Sequence, residues 1–248
     1  MFSVELKLDT LKSLVYITST LVDEAKFTIT PEGMTMKAVD AAHIAMIELD
    51  VDKDAFESYQ ADNVEIGLDL DKVKGVLKFA SAGDTVKMEQ DESLGRLIFK
   101  VGNITRRMNL IDTSSMSDPK VPQLSLTANI AVLVDELQKG IRASESISDH
   151  ITVRAGPEYF EFLCEGDTDS VSLKLDKGAE GGLKSIDTDA EVCSMFPLDY
   201  ISNILKVIPS GTILNIELDN DYPVKLVFSL ADGKANVNYL LAPRIENE

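Results

Sequence analysis

The chain has no tryptophan, only two cysteines and two histidines among 248 residues, and far fewer basic than acidic side chains. No apolar run approaches the ~18 residues that cross a bilayer, which removes a membrane-spanning helix. Residues 1–5 hold no basic segment followed by an apolar stretch, so no export signal is read and a soluble intracellular protein is expected. Cys164 and Cys193 stand 29 positions apart without CxxC spacing. That excludes a disulfide framework and a zinc site from sequence, and core thiols are expected. His43 and His150 lie in neither an HExxH nor a Ser/His/Asp context, so the usual hydrolytic centres are absent. No metal or other cofactor is expected.

Scarce positive charge is the most informative shortage. There are 24 basic against 42 acidic residues, a formal charge of −18. On average such a chain repels nucleic acid. It can bind DNA only if its few cations share one surface from which the acids are kept away. Interleaved aromatics and base-reading motifs are also missing, so sequence-specific recognition is not supported.

Several motif-like stretches fail on inspection. Asp50-Val-Asp-Lys-Asp54 starts like a calcium loop, but Ala55 replaces the required glycine and Ala61 the bidentate glutamate. Gly178-Ala-Glu-Gly-Gly-Leu-Lys184 lacks the ending of a phosphate loop and reads as a flexible turn. The pairs Asp167/Asp169 and Asp219/Asp221 could hold a divalent ion, although capped turns explain them more simply. Asn103-Ile-Thr105 is a glycosylation sequon with no secretory route.

What is present is a repeat. Aligning Asp9 with Asp135, an offset of 126, also pairs Leu11 with Leu137, Val15 with Ile141, Asp23 with Asp149 and Pro31 with Pro157. At an offset of 128, Asp71 meets Asp199, Val76 meets Ile204, Lys78 meets Lys206 and Gly83 meets Gly211. Each half reads as helix, strands, helix, strands. Helices are predicted at about 9–21, 71–81, 135–146 and 199–208, each opening on an aspartate able to cap free N–H groups. Strands are predicted at 26–29, 44–51, 85–88, 97–101, 151–154, 171–175, 213–218 and 224–230. The fold class is α+β, antiparallel meanders with a few helices on one face. Residues 113–123, with two prolines and three serines, read as an extended linker.

Counting each N-terminal aspartate as zero, offsets +2, +5 and +6 are apolar in the four helices except for Gly140, which defines a buried stripe. The opposite face, offsets +3, +4, +7 and +11, contains Lys12, Lys74, Lys78, Lys139, Arg142 and Lys206 and no acid. Sixteen positions drawn at the acid frequency of the chain, 42 in 248, would hold about three. One helix of this kind is an ordinary solvated face. Four that agree point to a surface that meets phosphates without reading sequence.

At this point the residues resemble a known family, the archaeal and eukaryotic proliferating cell nuclear antigen sliding clamps. The resemblance covers essentially the whole chain, through Arg244-Ile-Glu246. It is carried by Ala38-Val-Asp-Ala-Ala-His-Ile44, Glu165-Gly-Asp-Thr-Asp169, Asp221-Tyr-Pro-Val-Lys225 and Tyr239-Leu-Leu-Ala-Pro-Arg-Ile245 in this order and spacing. It implies two similar clamp domains, residues 1–117 and 131–248 joined by a connecting segment 118–130. Antiparallel sheets would lie outside and two helices per domain inside a homotrimeric pseudo-sixfold ring. It implies edge-strand pairing between subunits, with Arg107, Met108, Leu110 and Ile111 of one chain against Val171, Leu173 and Leu175 of the next. It also implies a pocket for PCNA-interacting peptides formed by Val39, His43, Ile44, Met46, Val121, Pro122, Gln123, Pro223, Leu240, Leu241, Ala242 and Pro243, with His43 as a hydrogen bonder at its rim. The implied partners are double-stranded DNA, further copies of the chain, a replicative DNA polymerase, a clamp loader, a flap endonuclease and a DNA ligase, with no membrane. The implied place of action is the cytoplasm and nucleoid of an archaeon, or a nucleus. The chain departs from the eukaryotic pattern at Leu240, where an aromatic is common, and at Ser13 and Ser19, where lysines are common. Two other readings remain open from sequence: a peptide-binding scaffold without DNA, and a metal-dependent phosphodiesterase built on paired aspartates such as Asp169.

Overall fold

A computed structural model describes residues 1–116 and 118–245. Ser117 of the expected linker and Glu246 of the family-like terminus lie outside the described residues. The first half contains β1 (Phe2–Lys7), α1 (Leu8–Thr18), β2 (Glu24–Thr30), β3 (Gly33–Val39), β4 (Ala45–Asp52), β5 (Ser58–Ala61) and β6 (Val64–Asp69), then α2 (Leu70–Leu77), β7 (Thr85–Asp91), β8 (Arg96–Val101) and β9 (Ile104–Asn109). The second half contains β10 (Ala128–Leu133), α3 (Val134–Ser144), β11 (His150–Gly156), β12 (Tyr159–Glu165), β13 (Ser170–Asp176), β14 (Leu183–Asp187) and β15 (Val192–Pro197), then α4 (Leu198–Val207), β16 (Ile213–Leu218), β17 (Val224–Leu230) and β18 (Ala235–Leu241). Every strand expected from sequence falls on one of these.

The chain forms two compact units, Met1–Val121 with Ser229–Val237, and Pro122–Phe228 with Asn238–Glu248. In the first, the strand orders are β5-β1-β7-β8-β9 and β4-β3-β2-β6. In the second they are β14-β10-β16-β17-β18 and β13-β12-β11-β15. The two halves therefore share one topology, with β9 the counterpart of β18 and β4 the counterpart of β13. All the pairings whose register is established are antiparallel. The first unit takes in the hairpin turn before β18. There the N–H of Asp52 donates to the Lys234 carbonyl at 2.8 Å and the start of β18 lies along β4.

The helices begin one residue earlier than the periodicity indicated, and the reason repeats four times. Leu8, Leu70, Val134 and Leu198 are buried apolar residues just before the marker aspartates. Their N–H groups donate to the carbonyls of Asp84, Asp23, Thr212 and Asp149 at 2.9, 2.9, 3.0 and 2.9 Å. Each of those carbonyls immediately precedes the strand that follows the other helix of the pair, so α1 with α2, and α3 with α4, are tied reciprocally. The aspartates are thus not the caps that were expected. They occupy the second helical position, where an acid still favours the positive end of the helix. Asp69, one step outside α2, is a true cap and accepts from the Lys72 N–H at 3.0 Å.

All twelve residues at offsets +2, +5 and +6 are buried, as the stripe required. In the first unit Leu11, Leu14, Val15 and Val73 meet Phe27, Ile29, Ile66, Met88 and Phe99 from both sheets around an apolar void of about 40 Å³. In the second, Leu137, Ile201 and Leu205 meet Val153, Phe162, Leu214 and Leu226. Truncating one such leucine or isoleucine to alanine costs about 2–5 kcal/mol. The burial therefore fixes which helix face remains free.

Candidate DNA and partner surfaces

Of the six predicted cations, Lys12, Lys78, Lys139, Arg142 and Lys206 are exposed and Lys74 is half-buried. They are not equally available. Lys74 pairs with Asp71 at 3.0 Å, Lys139 with Glu136 at 2.8 Å and Lys206 with Glu145 at 2.5 Å. Lys12 lies 6.0 Å from the centre of the Tyr16 ring. Lys12, Lys78 and Arg142 make no ion pair within 4.0 Å among the described residues.

The sixteen-position face needs three corrections. The helices end at Thr18, Leu77, Ser144 and Val207, so the four residues at offset +11 lie beyond them. Ser202 is 4% exposed rather than free, and its hydroxyl donates to Glu145 at 2.7 Å. Gln138 is turned toward α4, donating to the carbonyls of Leu205 and Ile208 at 2.8 and 3.1 Å. An acid also reaches this surface. Glu145 follows α3 directly, outside the offsets counted, and is held below the usual carboxylate range by Lys206, then by Ser202.

The segment around His43 is built by one buried carboxylate. Asp40, 6% exposed, accepts from the N–H groups of Ala42, Ile44 and Ala45 at 3.0, 2.9 and 2.7 Å. This bends the chain so that His43 takes a left-handed conformation, φ 59°, and is presented to solvent. Within the first unit, Val39 and His43 border a cleft of about 620 Å³ that also touches Lys26, Met116 and Pro119. Lys26 reaches Asp118 at 2.8 Å and anchors the segment after β9 to the sheet. Among the remaining pocket residues, Ile44, Val121, Pro223, Ala242 and Pro243 are half-buried, and Pro122 and Gln123 are exposed. Met46, Leu240 and Leu241 are 8, 7 and 0% exposed and act as core.

The predicted interface strands both lie on sheet edges. β9 ends one order and β13 another, with no strand beyond either among the described residues. Val171, Leu173 and Leu175 are half-buried along β13. On the other side Arg107 is exposed and Met108 is 5% exposed, its side chain turned into the core. Leu110 and Ile111 lie just beyond the end of β9, and their N–H groups donate to the carbonyls of Gly95 and Gly67 at 2.9 Å each. β9 itself spans Ile104–Asn109.

The rival catalytic reading finds little here. Among the described residues no three His, Cys, Asp or Glu side chains converge on a metal-sized site. Cys164 is buried and its thiol is pushed up by that burial, as expected of a core residue, whereas Cys193 is half-buried. No described helix is long and apolar enough to cross a membrane.

Two α+β units of one topology, each with a paired-helix layer bearing exposed cations, define a duplicated clamp-type protein. Comparison with known proteins gives the family. Residues 1–117 match the model of the proliferating cell nuclear antigen N-terminal domain, and residues 120–244 that of its C-terminal domain. The chain is 39% identical to a DNA polymerase sliding clamp of Methanococcoides burtonii and 37% to one of Methanosarcina mazei, over the full length of each. It superposes with a TM-score of 0.92, at 36% identity and full coverage, on the A. fulgidus PCNA solved with the C-terminal region of FEN-1. The Thermococcus kodakaraensis PCNA follows with a TM-score of 0.91 at 25% identity, covering 98% of this chain and all of that one. The chain belongs to the proliferating cell nuclear antigen family of DNA polymerase sliding clamps.

Proposed function

We propose that three copies of this chain close head to tail into a ring around duplex DNA and tether a DNA polymerase and other replication and repair enzymes to it. One observation carries the reading. β9 and β13 stand at opposite ends of the strand order that the two units share, and both keep a free edge among the described residues. The β9 edge of one copy can pair with the β13 edge of the next. Such a heterologous contact generates a closed ring when its rotation closes. In that ring Lys12, Lys74, Lys78, Lys139, Arg142 and Lys206 face the DNA and contact phosphates without sequence preference.

Client enzymes, a clamp loader, a flap endonuclease and a DNA ligase among them, dock through a short peptide on the residues around His43, the linker and Pro223–Pro243. The chain catalyses no reaction itself and acts in the cytoplasm, on the nucleoid. The domains are 1–117 and 131–248, joined by residues 118–130, of which β10 takes the last few. Replacing Lys12, Lys78, Arg142 and Lys206 with alanine tests this. Expected is loss of polymerase processivity on a primed circular template, with solution mass still that of three chains and peptide affinity unchanged. Unaltered DNA behaviour leaves a peptide scaffold. Magnesium- or manganese-dependent DNA cleavage lost in Asp169→Ala would instead restore the phosphodiesterase.

A further inference from the structure

Glu145 is out of place by the ordinary rules of helix electrostatics. It caps the C-terminal end of α3, the negative pole, where an acid is unfavourable and cations are preferred. At the same offset the other helices carry Ser19, Ser81 and Pro209, so the acid is particular to this quarter of the molecule. Its carboxylate accepts from Lys206 Nζ at 2.5 Å and from the Ser202 hydroxyl at 2.7 Å. An ammonium with a hydroxyl beside it is the donor set that a phosphate oxygen takes. Alongside lies a cavity of about 560 Å³ walled by Glu145, Lys206, Asn203, Tyr200 and Arg244. Arg244 is held in the same manner, by Asp149 at 3.4 Å.

We infer that Glu145 is a built-in stand-in for a DNA phosphate, which occupies Lys206 while the ring travels and so weakens the grip of this helix pair on the duplex. The inference rests on the proposed DNA-facing role of the helices. A DNA phosphate must displace the carboxylate to reach Lys206, so the contact forms and breaks by exchange between two anions. Contacts that exchange readily suit a protein that must stay on DNA without stopping on it. Lys78, the counterpart of Lys206 in the first unit, has no acid partner among the described residues, so the two units hold DNA unequally.

The test is fluorescence anisotropy of a labelled short duplex of arbitrary sequence with the full chain, across a salt series. Wild type is compared with Glu145→Gln, Glu145→Ala, Lys206→Ala and Glu145→Gln combined with Lys206→Ala. Expected is binding on the order of tenfold tighter at about 50 mM salt for either Glu145 variant, with the salt slope steeper by about 0.9, one phosphate contact. The gain must vanish in the Lys206→Ala background. An unchanged slope, or a gain that survives without Lys206, overturns the inference, the second because it reports only the removal of a negative charge. Solution mass and melting temperature are read on each variant, with the alanine variant as the check should the glutamine one misfold. If the fourfold alanine variant binds the duplex like wild type, the DNA-facing reading itself falls. If it weakens binding while the Glu145 variants gain nothing, only the inference falls.

Discussion

β9 and β13 both end a sheet with no strand beyond them among the described residues, yet β9 sets Arg106 and Arg107 side by side while β13 alternates apolar and polar residues. An exposed edge presents a row of free N–H and C=O groups and is normally blunted by charge, proline or a bulge. Neither β9 nor β13 contains a proline, and β13 alternates Val171, Leu173 and Leu175 with polar residues over its full length. Each unit thus keeps one unpaired edge among the described residues, β9 in the first and β13 in the second, and on the proposed reading a second copy satisfies both.

Breaking that contrast gives the largest expected effect. Successive N–H groups of an edge strand alternate between the neighbouring strand and the outside. Of Val171→Pro and Ser172→Pro, one removes an outward donor and the other a bond to β12. The first should take solution mass from three chains to one by light scattering while the melting transition of the chain is retained. The second should lower the melting temperature. Trimeric mass in both variants would remove β13 from the interface.

Much of this was legible in sequence, and the rest was hidden for identifiable reasons. The stripe at offsets +2, +5 and +6 was readable because burial on a helix has a period of 3.6 residues, and all twelve positions proved buried. β1 and β10 also announced themselves, with Phe2, Val4 and Leu6, then Ala128, Ile130 and Val132, alternating inward. They went unread beside the stronger helical signal that follows each. β5 and β14 carry no such pattern, since short edge strands such as Ser-Tyr-Gln-Ala need little apolar content. Ser202 and Gln138 were misplaced because the face opposite a buried stripe includes flanks that meet the partner helix. Glu145 was missed because its offset of +10 lies about 80° from the counted face on an ideal helix, whereas α3 ends at Ser144 and the chain beyond no longer keeps that angle. The only hint was an acid flanked by two serines, Ser144-Glu-Ser146.

A smaller effect separates the two helix pairs at their glycines. A Cβ on Gly140 of α3 would stand 2.7 Å from Leu173 Cδ2 and 3.1 Å from its Cβ, an atom fixed to β13. The three atoms nearest a Cβ on Gly75 of α2 would all belong to the guanidinium end of Arg106, at 2.7 to 3.3 Å, which can swing away. Alanine in a helix interior gains about 1 kcal/mol over glycine. Gly75→Ala should therefore be neutral or stabilising, by up to about 1 kcal/mol. Gly140→Ala should be destabilising by about 1 kcal/mol, because overpacking against a strand costs about 1–3 kcal/mol. Thermal unfolding checks the signs, and Gly140→Ala should also loosen assembly through β13. Equal signs would show that β13 yields as easily as an arginine side chain.

The smallest expected difference concerns the tyrosines of the two units at high pH. Tyr59 is raised from 10.0 to about 12 by burial, and its hydroxyl donates to the carbonyls of Thr30 and Gly33 at 2.8 and 2.7 Å. Tyr159 is also raised to about 12, first by its hydrogen bond to the exposed Glu191 at 2.7 Å and then by burial. In both the fold favours the neutral phenol. That contribution is complete below the unfolded value near pH 10 and is lost as pH rises through about 12. Added salt screens the Tyr159–Glu191 pair and leaves desolvation untouched. Absorbance titration of the phenolates should accordingly show one midpoint that falls with ionic strength and is deleted by Tyr159→Phe, and a second, salt-insensitive one deleted by Tyr59→Phe. If the midpoint lost in Tyr59→Phe moves with salt, charge rather than burial sets it, and the two units protect their tyrosines by the same means.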